Sequence, residues 1–362
     1  MASIKIGIVG AGGMARYHYD GFTKAGAEIT AIADMNTERV KDFAASHDIK
    51  KTYDSLARML EAEKDIDAVS IITPNKFHKP LIIEALEKGR HVFCEKPPAL
   101  NAAEMKEIVA VVQKTGKKLL YDFNNRARPE SQAMQSYIKS GRAGRINSAQ
   151  ATWIRRAGIP GFGGWFTTKA ISGGGPVIDL LHMIDLALYF MDYPEPSFAL
   201  ASVFYDFMGN KAFKGPWGIA DAAGGVTDVE SACHAFLTFK SGQCLTIRNS
   251  WAEMNEREVV SVVFQGQKAG GKVERVFRRD GIDETSIDSC KIFTEENGVH
   301  LNIDMITDED ETMGRTAAAE NFVRTLAGEA APLNTPEEAL VLMKIIDALY
   351  ESAALGKPAA IV

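Results

Sequence analysis

The run Ile4-Lys5-Ile6-Gly7-Ile8-Val9-Gly10-Ala11-Gly12-Gly13-Met14-Ala15 limits the fold more than any other stretch of this chain. Its Ile/Val segment predicts a strand over 4–9. The spacing G-x-G-x-x-A follows at once, and a helical pattern occupies 15–25. Gly10 permits the tight turn, and Gly12 lets backbone approach a pyrophosphate. Small Ala15 allows close helix–strand packing, and the helix N-terminus offers N–H groups and positive dipole to phosphates. The second predicted strand, 29–33, runs into Asp34, about 20 residues past the glycines, where a carboxylate can accept both ribose hydroxyls. A carboxylate there repels a 2′-phosphate and no Arg follows it directly, so NAD is favoured over NADP. A glycine turn with a helix-capping Asp would look the same in isolation. Strand, motif, helix, strand and Asp in this order favour the dinucleotide reading over that alternative.

The alternation continues through the first third. A helix is expected over 37–47 with Thr37 as N-cap, then a helix over 55–61, a strand over 68–72 and a helix over 79–88 stopped by Gly89. Strand 91–94, helix 102–115 and strand 118–122 follow. Strands this apolar on both faces, separated by helices, indicate a doubly wound parallel sheet. After about Asn124 the rhythm changes. One helix is expected over 131–139, ended by Gly141, and one strongly apolar helix over 178–191. Strands are expected over 146–156, 198–207, 231–240, 243–250, 259–265 and 272–278, with Ser241-Gly242 as a hairpin turn. Helices over 311–327 and 336–354 close the chain. The expected fold is α/β: an N-terminal Rossmann domain, 1–124, and a C-terminal α+β domain, 125–362, with a large, mainly antiparallel open sheet.

The length of 362 residues suits about two domains. A formal charge of −6 argues against nucleic-acid or anionic-membrane partners, which attract basic patches. The acidic cluster Asp308-Glu309-Asp310-Glu311 reads as a solvated loop. There is no signal-peptide pattern and no apolar run long enough to span a bilayer. Cys94, Cys233, Cys244 and Cys290 are scattered and read as free thiols in a reducing cytoplasm.

Two further signals carry chemistry. Glu95-Lys96-Pro97-Pro98 follows strand 91–94, at the edge where doubly wound sheets bind ligands. A Lys there can hold developing negative charge on a substrate oxygen, although a surface Lys before a proline turn is the plainer reading of the motif taken alone. Thr73-Pro74-Asn75 is a second loop on that edge, with His78 as ligand contact, helix cap or solvated side chain. Gly173-Gly174-Gly175-Pro176 leads into Asp179 and His182, which share a face at i, i+3 if the helix is continuous. A buried hydrogen-bonded network is the plainer reading of that pair. The triple glycine would let backbone lie close to a ligand. One His with carboxylates is a poor zinc set, so no metal is expected. In the loop 155–166, Trp165, Phe162 and Phe166 can stack on a sugar's apolar face. Arg155 and Arg156 can meet an acidic group or simply be solvated.

Together, Gly10–Ala15, Thr73-Pro74-Asn75 with His78, Glu95-Lys96-Pro97, Asn125-Arg126, Trp165 before the triple glycine, and Asp179 with His182 resemble the glucose–fructose oxidoreductase/inositol dehydrogenase (Gfo/Idh/MocA) family over nearly the whole chain. The resemblance implies NAD(P)-dependent oxidation of a sugar or polyol hydroxyl, and assembly into homodimers or homotetramers through the sheet. It implies Lys96, His182 and Asp179 as the catalytic set, with His182 as proton acceptor. The implied cofactor set is Gly10, Gly12, Gly13, Met14, Asp34, Thr73, Asn75, His78, Glu95, Lys96 and Trp165. The implied substrate set is Lys96, Arg126, Arg155, Phe162, Trp165, Asp179 and His182. The chain departs from the family in placing two residues, not three, between Asp179 and His182. The expected chemistry is hydride transfer from a sugar, polyol or glycoside carbon. A glycoside hydrolase or lyase using tightly held NAD for transient oxidation is the alternative. A nucleotide sensor would need a basic DNA-reading segment, which neither terminus carries.

Overall fold

The computed structural model describes residues 3–277 and 286–362. The chain divides into two compact units, Met1–Ala127 with Asp310–Leu340, and Arg128–Glu309 with Val341–Val362. The segment 310–340, assigned to the second domain from the sequence, therefore belongs with the first.

The first unit begins β1 (Lys5–Val9), α1 (Ala15–Lys24), β2 (Glu28–Ala33), α2 (Thr37–Ser46), β3 (Thr52–Tyr53), α3 (Leu56–Ala62) and β4 (Ala68–Ile71). It continues α4 (His78–Glu87), β5 (His91–Cys94), α5 (Ala102–Thr115) and β6 (Leu119–Tyr121). Among the described residues its sheet has the order β3-β2-β1-β4-β5-β6, with every pairing parallel. The order reverses between β1 and β4, which opens a crevice at their carboxyl ends. The short strand β3 escaped the sequence reading, because two residues carry no periodicity. Asn36, not Thr37, caps α2, its side chain accepting from the Arg39 N–H at 3.0 Å.

The returning segment joins this unit through shared burial. Ala318, Ala319, Phe322 and Val323, on the helix Arg315–Leu326, form one core with Ile6, Phe22, Phe93 and Leu120. The two helices approach so closely at Gly21 that a Cβ there would lie 2.4 Å from the Thr316 carbonyl oxygen and 2.6 Å from Ala319 Cβ.

The second unit contains α6 (Pro129–Lys139), β7 (Ile146–Ile154), α7 (Lys169–Ser172), α8 (Pro176–Asp179), α9 (His182–Phe190) and β8 (Pro196–Phe204). β9 (Ala232–Phe239), β10 (Cys244–Ser250), β11 (Val259–Gly266), β12 (Ala269–Phe277), β13 (Ser286–Glu296) and β14 (Val299–Met305) follow. The remaining elements are α10 (Arg315–Leu326, of the first unit), α11 (Pro336–Leu355) and β15 (Ala359–Ala360). The described strands form one sheet, β14-β13-β12-β11-β7-β10-β9-β8-β15, antiparallel except where β7 meets β10. The hairpin predicted at Ser241-Gly242 is present, with Gly242 at φ 81°. β13 and β14 were not predicted, and Arg278, the last residue of the expected strand 272–278, lies outside the described residues. Helices α6 and α9 pack on one face of this sheet.

The expected single helix over 178–191 is two pieces, α8 and α9, and the segments 169–179 and 182–190 are bent by 49°. The break has an identifiable partner. Buried Asn249 of β10 donates to the Leu180 carbonyl at 3.1 Å, an acceptor that a continuous helix would satisfy internally. No single helix among the described residues is long and apolar enough to cross a membrane.

Gly21 gives a sharp test of this packing. An exposed mid-helix Gly→Ala change is stabilising by up to about 1 kcal/mol. Here the added methyl meets backbone of α10, so Gly21→Ala is expected to destabilise by about 1–3 kcal/mol in denaturant titration.

Candidate active site

The carboxyl end of β1 turns at Gly10, whose φ is 102° and whose hypothetical Cβ would lie 2.1 Å from the Ile72 carbonyl oxygen. Only glycine allows β1 and β4 to close so tightly. Gly12 and Gly13 differ, since a Cβ at either would meet nothing within 4 Å. Their smallness serves no contact inside the chain, and it leaves the approach to α1 clear. That helix has no side-chain cap at its N-terminus. Asp34 accepts from the Ala11 N–H at 2.9 Å through one oxygen and from the Asn36 N–H at 2.8 Å through the other. Its carboxylate is thereby fixed across the glycine turn, with lone pairs remaining for a diol. Thr73 Oγ1 is buried with no hydrogen-bond partner among the described residues. A clear glycine turn, an uncapped helix, an oriented carboxylate and an unmatched hydroxyl on the same sheet edge fit a dinucleotide.

His78 serves that edge indirectly. Its ring is fully buried, with Nδ1 2.8 Å from the Pro97 carbonyl and Nε2 2.8 Å from the Thr73 carbonyl. Burial lowers its pKa, against the opposing pull of those carbonyls. It is a pin between the Thr73 and Pro97 loops rather than a ring presented to ligand, and Asn75 is buried beside it at the start of a short turn. Lys96 is half-buried, its N–H donates to Glu95 Oε2 at 3.1 Å, and its peptide bond to Pro97 is cis.

Under this turn lies a group that the sequence reading missed. His18 of α1 is fully buried, with Nδ1 2.8 Å from Ser70 Oγ and Nε2 3.3 Å from Glu95 Oε1 and 3.4 Å from Asp122 Oδ2. One such atom from each of His18, Glu95 and Asp122 lies within 4.8 Å of the other two. Burial alone would lower the His18 pKa, but hydrogen bonds to Asp122 and Glu95 carry it up to about 9. Burial raises the Asp122 carboxyl, with the neighbouring Glu95 charge adding to it and His18 opposing. The two carboxyl groups thus favour the charged form of the imidazole between them.

Arg126 is not available to a substrate. Its guanidinium is fully buried, donating to Glu338 Oε2 at 2.6 Å and the Leu333 carbonyl at 3.0 Å. Asn125, also buried, hydrogen-bonds Asn124 in the same turn.

In the second unit, Asp179 ends α8 and His182 begins α9, so the helical i, i+3 relation expected of them does not hold. Both remain largely buried. Asp179 accepts from Trp251 Nε1 at 2.9 Å, and the His182 ring lies 5.9 Å from that of Trp153. Trp153 Nε1 in turn donates to Glu258 at 2.8 Å, and Glu258 also receives Arg155 Nε at 3.2 Å. Arg155 is stacked over Trp217 at 4.4 Å and Trp153 at 5.0 Å. The carboxylate partner and two aromatic rings make Arg155 a buried, neutralised cation rather than a solvated strand end. Asp185 accepts from Tyr193 Oη at 2.5 Å. Trp165 is stacked on Phe166 at 3.7 Å, and Phe162 borders a cavity of about 370 Å³ with Lys211, Asp221 and Thr227.

The triple glycine answers to packing within the chain. A Cβ at Gly174 would lie 1.8 Å from Tyr350 Oη, and one at Gly175 would lie 2.2 Å from the Glu230 carbonyl oxygen. The buried Glu230 carboxylate accepts from Gly175 N, Val177 N and Tyr350 Oη at 3.0, 3.1 and 2.9 Å. Burial still raises its pKa against these donors. Glu230 left no sequence signal, because a lone Glu in a polar stretch reads as surface.

A parallel sheet with its switch point at a clear glycine turn marks a dinucleotide-binding fold. Residues 4–123 match the model of the oxidoreductase family with an NAD-binding Rossmann fold, and residues 131–270 match the Gfo/Idh/MocA C-terminal domain. The chain is 30% identical over 359 residues to D-glucoside 3-dehydrogenase of Escherichia coli (strain K12), covering 98% of this chain and 96% of that one. It is 26% identical over 297 residues to myo-inositol 2-dehydrogenase of Thermotoga maritima, covering 82% and 79%. Levoglucosan dehydrogenase in complex with NADH and levoglucosan shares the fold, with a TM-score of 0.83 at 20% identity over 99% of both chains. The chain belongs to the Gfo/Idh/MocA family, and it is an NAD-binding oxidoreductase.

Gly12, which borders open space, and Gly174, which faces Tyr350, form a contrasting pair. Gly12→Ala is expected to keep the wild-type melting temperature while weakening NADH binding measured by fluorescence titration. Gly174→Ala is expected to lose about 1–3 kcal/mol of stability with NADH affinity little changed. The buried imidazolium sets a pH dependence. A raised native pKa means that the folded state binds the proton more tightly, so stability falls as pH rises. The His18 contribution is complete below about pH 6.5 and lost through about pH 9. Calorimetric melting temperatures taken from pH 6.5 to 9.5 should fall, and His18→Gln should flatten the fall.

Proposed function

We propose that this protein is a dehydrogenase of sugar, polyol or glycoside hydroxyls, with Lys96 and His182 acting at the reacting oxygen. The observation that carries the reading is the Lys96 turn. Its chain is held at the Glu95 carboxylate, and the following Pro97 carbonyl is held by His78, on the edge that includes Thr73. A lysine on a backbone turn held in this way can bring its ammonium to a hydroxyl oxygen and stabilise the charge that develops as the carbon is oxidised. The names of the relatives, glucoside, inositol and levoglucosan dehydrogenases, support a cyclic polyol as substrate.

Gly10, Gly12, Gly13, Met14, Asp34 and Thr73 would hold NAD, which supplies the two-electron acceptor for hydride when bound. Lys96 donates to the substrate oxygen. His182 accepts the hydroxyl proton, a step worth about 10²–10⁴-fold for a well-placed base. Asp179, its carboxylate already oriented by Trp251, positions the substrate or His182. Trp165 offers an aromatic face to the sugar ring. Arg155, neutralised by Glu258, shapes the aromatic wall and does not recognise an acidic group directly. Four free thiols suit a cytoplasmic location. The outer sheet face, with half-exposed Phe198, Leu200, Phe204 and Phe236, suits association with further copies.

Absorbance at 340 nm with NAD or NADP against a panel of sugars, inositols and glycosides tests the reading. Steady NADH formation with one polyol class is expected. Glycoside cleavage without net NADH would favour transient oxidation instead. Lys96→Ala should lose about 10²–10³-fold in kcat with NADH affinity nearly unchanged. Equal loss of NADH affinity would make Lys96 a cofactor-positioning residue.

A further inference from the structure

We infer that His18 is the positioning residue for Lys96, acting through Glu95: its imidazole bridges Glu95 and Asp122, and so fixes the carboxylate that holds the Lys96 backbone N–H. The inference rests on the proposed role of Lys96.

The geometry gives the two oxygens of Glu95 separate tasks. Oε2 accepts from the Lys96 N–H at 3.1 Å, and Oε1 lies 3.3 Å from His18 Nε2. Rotation of this carboxylate away from His18 would release Lys96 as well. The imidazole is itself tightly held. Ser70 Oγ of β4 lies 2.8 Å from Nδ1, the Phe93 ring of β5 is 4.9 Å away and the Phe22 ring 5.9 Å. Ser70, Glu95 and Asp122 come from three adjacent strands or the residues just past them, so one ring of α1 gathers the carboxyl ends of β4, β5 and β6.

A site needed only for packing would be filled at lower cost by an apolar side chain, because burying two carboxylates and an imidazole removes all three from water. The cluster makes sense where the direction of a neighbouring group matters. α1 also carries the uncapped N-terminus that faces the glycine turn, and His18 sits three residues past its first residue, Ala15. The helix that would receive phosphates thus holds the turn that presents the lysine.

Protonation of His18 should then appear in turnover. The charged and titratable groups acting on the cluster are Glu95 and Asp122 directly, Arg315 on Asp122, and Cys94 against Glu95. His78 also interacts with Glu95 and Lys96.

His18→Gln keeps a donor in roughly the Nε2 position and removes the charge. For the folded variant, NADH affinity within about threefold of wild type, kcat lower by about 10- to 100-fold and loss of the kcat decline near pH 9 are expected. The rate at which a soluble acetylating reagent modifies Lys96, read by mass spectrometry against exposed Lys76, should change by at least about threefold. Wild-type kcat, pH profile and Lys96 acetylation in a folded His18→Gln protein would overturn the inference. If His18→Gln does not fold, Asp122→Asn retains the His18–Glu95 contact and removes one carboxylate. It should move the alkaline decline of kcat to lower pH, and an unmoved decline would equally overturn the inference. Acetylation needs no turnover, so it separates the two ideas. If Lys96→Ala keeps full activity while His18→Gln still alters Lys96 acetylation, the assigned role of Lys96 fails and the positioning contact stands.

Discussion

Strand register forces the central electrostatic arrangement of the first unit. Cys94 of β5 pairs with Tyr121 of β6, so the next residues, Glu95 and Asp122, emerge side by side from a buried edge. Two carboxylates that close repel each other, and burial makes both ionised forms costly. The His18 imidazole resolves this by carrying a positive charge between them, its ring set by Ser70, Phe22 and Phe93. One side chain thereby ties α1 to three strand ends and orients the residue before Lys96. The glycine turn, the Thr73 loop and the lysine turn gain a common reference frame.

Glycine does different work at different places in this chain. At Gly10, Gly21, Gly174 and Gly175, a methyl would strike the chain itself, so these positions set the distance between elements. At Gly12 and Gly13 there is nothing to strike, and the missing side chain leaves room for something outside the chain. The distinction separates glycines that border open space from packing glycines, and it moves the triple glycine before α8 from ligand approach to the Glu230–Tyr350 anchor.

The site's parts were unevenly legible. The glycine motif, Asp34 and the lysine turn could be read because local spacing alone dictates a strand, a turn and a helix. The family resemblance implies Arg126 at substrate and His78 at cofactor, and a loop position by itself excludes neither. Each is instead consumed by partners distant in sequence, Glu338 and Leu333 for Arg126, Pro97 and Thr73 for His78. His18, Glu230 and Asn249 went unnoticed for the converse reason: a lone polar residue inside an apolar pattern acquires meaning only from what faces it.

Periodicity in the chain determined which segments are strands and helices, and with them the position of the dinucleotide turn, because these follow from interactions between residues close in sequence. Tertiary structure decided that 310–340 returns to the first unit, since the apolar face of α10 is completed by Phe22 and Phe93, some two hundred or more residues earlier. It also decided that 178–191 breaks at Leu180-Leu181, where the Asn249 amide takes up a carbonyl. Hydrogen bonds and burial between distant segments override local helical preference, and no window of sequence contains both partners.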